Sequence, residues 1–390
     1  MKKVVVTLHS TTVKWIINKI QNEKQYISDN ILATLDKWEN GEKNPTFKQV
    51  ESMSKKTNIP FGYFFLETPP IETCPLVEHR TIGSNCPEEP SRNLLDTIDN
   101  MGDIQNWMRK YLKGDGAEPL DFVGKFKNNS DIVVIANDIR QELDLKLNWF
   151  FNIKNVDEAF DYSKNIINNV GILIMMSGIV GQNTHRKLDV SEFRAFTLVD
   201  KYAPLIFINS CDSKPGKLFS LWHGVAHIWL GTDNLFNDKY GTATTVNKLE
   251  KICNAIAAEI MVPNNLFLSV WNDSKAEIES KIDTISNYFK CGKSVIIRRA
   301  LDNQLITKEK YDEFSGEIIE RFNDWQNKKK GSGGNYYNAM NAKFDHRFIK
   351  ALASSTAEGK TQYTDAYRLT NITNRVTFDN IVKVIERRPW

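Results

Sequence analysis

Leu221-Trp222-His223-Gly224-Val225-Ala226-His227-Ile228-Trp229-Leu230-Gly231 is the stretch of sequence that determines how the rest of the chain is interpreted. It contains no Asp, Glu, Lys or Arg, and Pro215 and Gly231 stand where a helix would begin and end. A helix that is apolar on every side is normally buried in a protein core. Because residues four apart share one face of a helix, His223 and His227 are expected to project side by side from it.

The two histidines have the spacing of the H-E-x-x-H motif, in which both histidines bind zinc and the glutamate is the general base of a metalloprotease. Gly224 stands where that motif has its glutamate. A shared Zn²⁺ would satisfy both buried imidazoles. The alternative is a pair of core histidines that are hydrogen-bonded separately, and the spacing alone does not distinguish the two.

A second helix, predicted over residues 246–263, offers a third ligand. Glu250 follows His227 by 23 residues and would complete a His₂Glu set with one position left open for water. Asn254 lies one helical turn after Glu250 and is a candidate partner for a ligating histidine. Glu259 lies on a different face of the same helix and is the rival third ligand.

The composition limits the class of protein. With 41% hydrophobic and 25% charged residues in 390, it is that of an ordinary soluble globular protein of two or three domains. The apolar runs are far shorter than the roughly 18 residues of a membrane span, and the first residues do not have the pattern of a signal peptide, so neither is expected. Five widely spaced cysteines without a C-x-x-C pair favour a reducing compartment. We therefore expect a cytoplasmic protein without membrane contact, and the net charge of +3 does not by itself indicate nucleic-acid binding.

The order of patterns along the chain predicts an α+β protein with a helical N-terminus, a central zincin-like domain and a helical C-terminal tail. Residues 171–176, 193–199 and 204–208 are the only convincing strands, and Thr46 is expected to cap a helix that begins at Phe47. Four segments follow from these patterns: a helical unit at 1–70, a proline-rich connector at 71–92, the zincin-like domain at 93–328, and a basic tail at 329–390 after a glycine-rich joint.

Several separate motifs extend over nearly the whole chain: Trp38-Glu39, Gly41-Glu42 and Pro45-Thr46, residues 60–66, 192–196 and 203–209, the histidine helix, Glu250, Asn254, and residues 257–263 and 298–301. In these motifs the chain resembles the ImmA/IrrE family of metallo-endopeptidases, in the branch fused to an XRE-type helix-turn-helix. The resemblance implies a minimal gluzincin fold with Zn²⁺ held by His223, His227 and Glu250. It also implies a cytoplasmic protein substrate, a transcriptional repressor or an antitoxin, in a phage, toxin–antitoxin or stress-response setting.

Gly224 is the main departure from that family. The missing glutamate would take a proton from zinc-bound water, and its loss costs about 10²–10⁴-fold or more in rate. We therefore predict a protein close to inert as a peptidase, either a natural pseudoenzyme or, as we favour, an engineered or selected inactive form. Tyr240, His185 and Arg194 are candidates for stabilising an oxyanion. The strand at 193–199 is a candidate edge for adding a substrate peptide.

The N-terminal segment supports a second class of function. By position in the resemblance, residues 28–38 are the recognition helix, with Asn30 and Lys37 as candidate DNA contacts. The first 70 residues contain no arginine, the residue that most often reads guanine, so the fold is equally suited to binding protein. The alternative function is therefore a non-catalytic DNA-binding regulator, antitoxin-like, with a structural or sensory zinc domain. A homodimer is compatible with either function.

Overall fold

The computed structural model describes residues 4–22, 28–74, 76, 90–237, 248–328, 340 and 342–386. The chain divides into two compact units, one formed by Met1–Pro75 and Pro87–Asp96 and the other by Leu76–Cys86 and Thr97–Trp390. No helix in these described ranges combines the length and apolar character that crossing a membrane requires.

The first unit is helical, as predicted. It contains α1 (Ser10–Asn22), α2 (Asp29–Glu39), α3 (Phe47–Thr57) and a 3₁₀ turn at Phe61–Phe65. Its core is made of apolar side chains from all of these elements: Val13, Ile16, Leu35, Trp38, Val50, Met53 and Phe64. The predicted start of α3 is confirmed, because the Thr46 backbone N–H donates to Gln49 Oε1 at 2.8 Å in a capping box.

Both ends of the predicted connector are tied to α1. The Glu72 carboxylate forms an ion pair with Lys19 Nζ and accepts a hydrogen bond from Arg92 Nη1, each at 2.9 Å, and Lys19 also donates to the Pro90 carbonyl at 2.7 Å. These ionic side chains are nearly inaccessible to solvent, so each compensates the buried charge of another. Residues 77–89, the interior of the connector, lie outside the described residues.

The second unit contains a four-stranded sheet in the order β1-β3-β2-β4, with β1 (Leu173–Ser177), β2 (Ala195–Leu198), β3 (Leu205–Asn209) and β4 (Asn234–Phe236). The first three strands were predicted, and β4, at three residues, is too short for a period-2 pattern to reveal. β1 pairs with β3 in parallel, and β2 pairs antiparallel with both β3 and β4. The expectation that a substrate would pair with a free edge of β2 is wrong, because β4 and β3 occupy the two sides of that strand.

The described residues form twelve further helices: α4 (Arg92–Gly114), α5 (Ile132–Glu142), α6 (Val156–Asn169), α7 (Lys214–Leu230), α8 (Lys248–Met261), α9 (Asn264–Asp273), α10 (Ile278–Phe289), α11 (Lys293–Asp302), α12 (Lys308–Lys328), α13 (His346–Ala357), α14 (Tyr363–Thr370) and α15 (Arg375–Glu386). The histidine helix is α7, and it packs on β2 and β3 and between α6 and α8.

The predicted limits of α7 follow from its terminal residues. Ser213 caps its start by accepting from the Gly216 N–H at 3.1 Å. Gly231 ends it in the left-handed region with φ 69°, and a Cβ there would lie 2.8 Å from the Gly124 Cα, so only glycine fits. From Ser220 to Leu230 every residue is buried, in agreement with the apolar sequence.

Candidate metal centre

The geometry of α7 brings the two histidines together. His223 and His227 are 1% and 0% exposed, and their Nε2 atoms lie 3.0 Å apart. The helical repeat places them on one face, and the apolar neighbours exclude water from it. Two imidazole nitrogens therefore meet at one point inside the core.

Helix α8 brings Glu250 to the same point. Its Oε2 lies 3.3 Å from His223 Nε2 and its Oε1 lies 3.4 Å from His227 Nε2. The buried side chains of Cys253, Ile256 and Ala257 belong to the core that also contains α7. Among the described residues, His223, His227 and Glu250 form the one group of three potential ligands whose donor atoms converge in this way.

The other nitrogen of each imidazole is held by an oxygen. His223 Nδ1 lies 2.9 Å from Asn254 Oδ1, as the sequence predicted for Asn254, and His227 Nδ1 lies 2.9 Å from Thr232 Oγ1. The role of Thr232 was not predicted from the sequence. The predicted end of α7 at Gly231 could have indicated it, because the turn after a helix end brings the chain back to the last helical turn. The Thr232 N–H donates there to the His227 carbonyl at 3.1 Å.

This arrangement fits a cation better than it fits a pair of core histidines. An imidazole that donates from Nδ1 to oxygen presents a lone pair at Nε2, so both lone pairs and a carboxylate face one another. Such a set of donors is the one that zinc prefers, and the Asn254 and Thr232 oxygens fix the ring orientations in the way that metal-ligating histidines require.

The charges of the site agree with a metal centre. Burial lowers the pKa of His227, which keeps its imidazole neutral and available to a metal. Burial also acts to raise the pKa of Glu250, but its contacts with the His223 and His227 rings outweigh burial and hold that pKa well below its usual value. The centre therefore presents a neutral His227 imidazole and an ionised Glu250 carboxylate, whose negative charge a divalent cation would compensate.

A fourth polar group, not predicted from the sequence, also reaches the centre. Asn234, the first residue of β4, is 4% exposed, and its amide Nδ2 lies 2.9 Å from His227 Nε2 and 3.2 Å from His223 Nε2. Nothing in its local sequence, Thr232-Asp233-Asn234-Leu235, indicates such a role.

Gly224 lies on the side of α7 that faces the sheet. A Cβ at this position would lie 3.0 Å from both Cδ1 and Cγ2 of Ile206 on β3. The glycine thus allows α7 and β3 to approach closely, and a larger side chain would need Ile206 to move by a few tenths of an ångström.

The segment that carries all of these groups matches a known family. Residues 168–301 match the IrrE N-terminal-like domain, Peptidase_M78. The matched segment runs from the end of α6 through α11 and contains every residue of the centre, so similarity to a metallopeptidase-like family is supported for this part of the chain. Residues 344–383 match a second family model, a domain of unknown function (DUF8813). No curated protein and no solved structure matches the chain.

Within the IrrE N-terminal-like domain, the two candidate third ligands have different surroundings. Glu259 Oε2 pairs with Arg299 Nη2 at 2.6 Å, and Arg299 Nε also donates to the Val262 carbonyl at 3.1 Å. This ion pair fastens the end of α8 to α11. The structure therefore brings Glu250, and not Glu259, to the histidines.

The remaining candidates occupy other positions. Arg194 forms a buried ion pair with Asp212 at 2.6 Å, a structural contact, and His185 is exposed. Tyr240 lies outside the described residues. Asn30 and Lys37, the candidate DNA contacts, are both exposed on α2.

Proposed function

We propose that this chain is a zinc-binding protein of the metallo-endopeptidase type that binds a specific partner protein, a repressor or an antitoxin, and that Gly224 leaves it without peptide-cleaving activity. The observation that carries the proposal is the convergence of His223, His227 and Glu250 in a buried site beside a glycine. The setting we propose is cytoplasmic and belongs to phage, toxin–antitoxin or stress-response biology.

The roles of the residues follow from the contacts. His223, His227 and Glu250 would hold the metal, and Asn254 and Thr232 would orient the two imidazoles. In an open site of the metallo-endopeptidase type, zinc would supply Lewis-acid polarisation of a peptide carbonyl. A general base must take up a proton within hydrogen-bonding reach of the reacting group, and Gly224 has no atom that can hold one.

Metal analysis tests the proposed site. We expect about one zinc per chain in the purified protein, and loss of that zinc in a Glu250→Ala variant. Glu277→Ala is the matched control, because Glu277 is exposed at the start of α10. A wild-type protein that takes up no zinc from solution would contradict the proposal.

Capture of a partner protein tests the other two parts of the proposal, partner binding and the absence of cleavage. We expect the wild-type chain to retain a partner uncleaved in a pull-down from its host, and the partner to be the same with zinc-loaded protein of the Gly224→Glu variant. Cleavage of that partner by the wild-type chain would overturn the assignment of inactivity.

The exposure of Asn30 and Lys37 on α2 favours one alternative, the DNA-binding regulator. That function predicts a specific footprint on DNA that survives zinc removal and is weakened by Lys37→Ala. Lys55→Ala is the control, because Lys55 is paired with Glu51 on α3 at 2.7 Å. A footprint of this kind without a protein partner would favour the alternative over the proposal above.

A further inference from the structure

The position of β4 gives Asn234 a fixed relation to the two histidines. Asn234 pairs with Thr197 of β2, and Phe236 pairs with Ala195. The Phe236 ring lies against the His223 ring with centroids 4.0 Å apart, and both Leu235 and Phe236 are buried. Its pairing with β2 and its buried side chains therefore hold β4 in position. In this position β4 directs the Asn234 amide towards His223 and His227.

Five spacings among the four groups match the distance between ligand atoms of a tetrahedral site, the two that involve Glu250 being measured from different carboxylate oxygens. The two imidazole Nε2 atoms lie 3.0 Å apart. The Asn234 amide nitrogen and the Glu250 carboxylate oxygens lie 2.9 to 3.4 Å from these Nε2 atoms. Four ligand atoms around zinc with bonds of about 2.0–2.1 Å lie about 3.3 Å apart. The amide thus lies at a ligand-to-ligand distance from both imidazole nitrogens, as a fourth protein ligand would, whereas a catalytic zinc site keeps its fourth position open for water.

The chemistry of the amide allows it to act there. With the metal absent, Nδ2 donates to the Nε2 lone pairs, as the contacts indicate. With the lone pairs engaged by a cation, an N–H would face a positive charge, and a half-turn of the amide exchanges Nδ2 for the Oδ1 acceptor. An amide oxygen ligates hard divalent cations such as Ca²⁺, and at zinc it would take the position that a carboxylate oxygen or a water occupies in other sites.

Resting on the proposed zinc site, we propose that Asn234 is its fourth ligand, through Oδ1, and that β4 thereby closes the coordination sphere with protein groups alone. Four protein ligands without an open position characterise structural zinc sites, whereas catalytic sites keep one position for water or substrate. The zinc of this chain would then stabilise the domain and hold β4 over the centre. Absence of hydrolysis would have a second cause independent of Gly224, so restoring glutamate at 224 alone would not restore cleavage.

Cobalt substitution tests the closed site without relying on activity. Co²⁺ in a tetrahedral protein site absorbs visible light strongly, and an open position is revealed when azide binds and changes the spectrum. We expect the Co²⁺-loaded wild-type chain to give a tetrahedral spectrum that azide leaves unchanged. In Asn234→Ala we expect azide to change the spectrum and the zinc Kd to rise by about 10–100-fold, the range for loss of a tuning group, or more.

Two further variants serve as controls for the effect of Asn234→Ala. Asn237→Ala is the matched control, since Asn237 follows β4 and its amide donates to the Ser191 carbonyl at 2.9 Å instead. We expect it to match the wild type. Asn234→Asp retains an oxygen at the same position and should remain insensitive to azide, which guards against misfolding of the alanine variant.

The outcomes separate this inference from the proposed function. Uptake of one Co²⁺ with an azide-responsive wild-type spectrum would leave the zinc site standing and overturn the role of Asn234. Failure to take up Co²⁺ or Zn²⁺ would overturn both.

Discussion

At Gly224 two local costs oppose each other. A glycine inside a helix is less favourable than alanine by roughly 1 kcal/mol. An added Cβ here would approach three atoms of Ile206 to 3.0–3.1 Å, and such overpacking costs about 1–3 kcal/mol. The glycine is therefore the better residue for the present distance between α7 and β3.

This balance predicts the effect of Gly224→Ala on stability. In the wild-type background we expect the free energy of unfolding to fall by up to about 2 kcal/mol, because overpacking exceeds the helical gain. In an Ile206→Ala background the space beside residue 224 is free, and Gly224→Ala should raise the free energy of unfolding by about 1 kcal/mol. Urea denaturation of the four proteins of this double-mutant cycle measures both effects. Equal effects in the two backgrounds would show that Ile206 does not limit residue 224.

At the scale of elements, the candidate centre depends on α7, α8 and β4 at once. Each contributes a side chain, and the turn after α7 adds Thr232. The contact of Asn254 with His223 connects α8 to α7 beside the ligand position of Glu250. The orientation of the His223 ring is thus a property of the packing of two helices.

Loss of the Asn254 amide tests this coupling. We expect Asn254→Ala to raise the zinc Kd by about 10–100-fold, since a ligating histidine loses the partner that orients it. Asn264→Ala is a suitable control, because Asn264 Oδ1 accepts from the amide of Asn303, the residue after α11, at 2.8 Å. Competition with a chelator of known affinity measures the Kd values. Equal affinities for the wild type and Asn254→Ala would exclude an orienting role for this residue.

At the scale of the whole second unit, residues 342–386 pack on the sheet and on α4. Asp345, fully buried, caps α13 by accepting from the Arg347 N–H at 2.9 Å and also accepts from the Ile174 N–H of β1 at 3.1 Å. This contact covers an outward N–H of the β1 edge. Arg347 of the predicted basic tail donates to the Asn168 carbonyl at 3.0 Å, so this basic residue takes part in packing.

Lys343 gives this packing a pH dependence. Burial lowers its pKa to about 8, and Nζ donates to the Gly181 carbonyl. Between about pH 8 and 10.5 the unfolded chain binds more protons at this lysine than the folded chain does, so the free energy of unfolding rises with pH in that window.

We expect the free energy of unfolding of the wild type to rise by up to about 3 kcal/mol between about pH 8 and 10.5, relative to that of Lys343→Met. Below pH 8 the difference between the two proteins should be constant. Lys275→Met, at an exposed position, should show no such trend. Denaturation series at several pH values measure the slope, and parallel slopes for wild type and Lys343→Met would contradict the burial of the charge.

The sequence alone determined the features that depend on neighbours along the chain. The capped start of α3, the ends of α7, the side-by-side histidines and three of the four strands follow from periodicity and from residues with fixed backbone preferences. It also predicted a zincin-like domain over residues 93–328, because the ligand types occur at recognisable spacings, and residues 168–301 within that range match the IrrE N-terminal-like domain model.

Only the tertiary structure decided what distant segments do to one another. It brought Glu250 to the histidines while Glu259 paired with Arg299, placed Ile206 against Gly224, and directed Asn234 from a three-residue strand into the donor set. These contacts join residues on different elements and leave no periodic signal in the sequence, since each depends on the path of the backbone between them. The spacing of His223 and His227 follows from one helix, whereas the completeness of their surroundings depends on the packing of the whole unit.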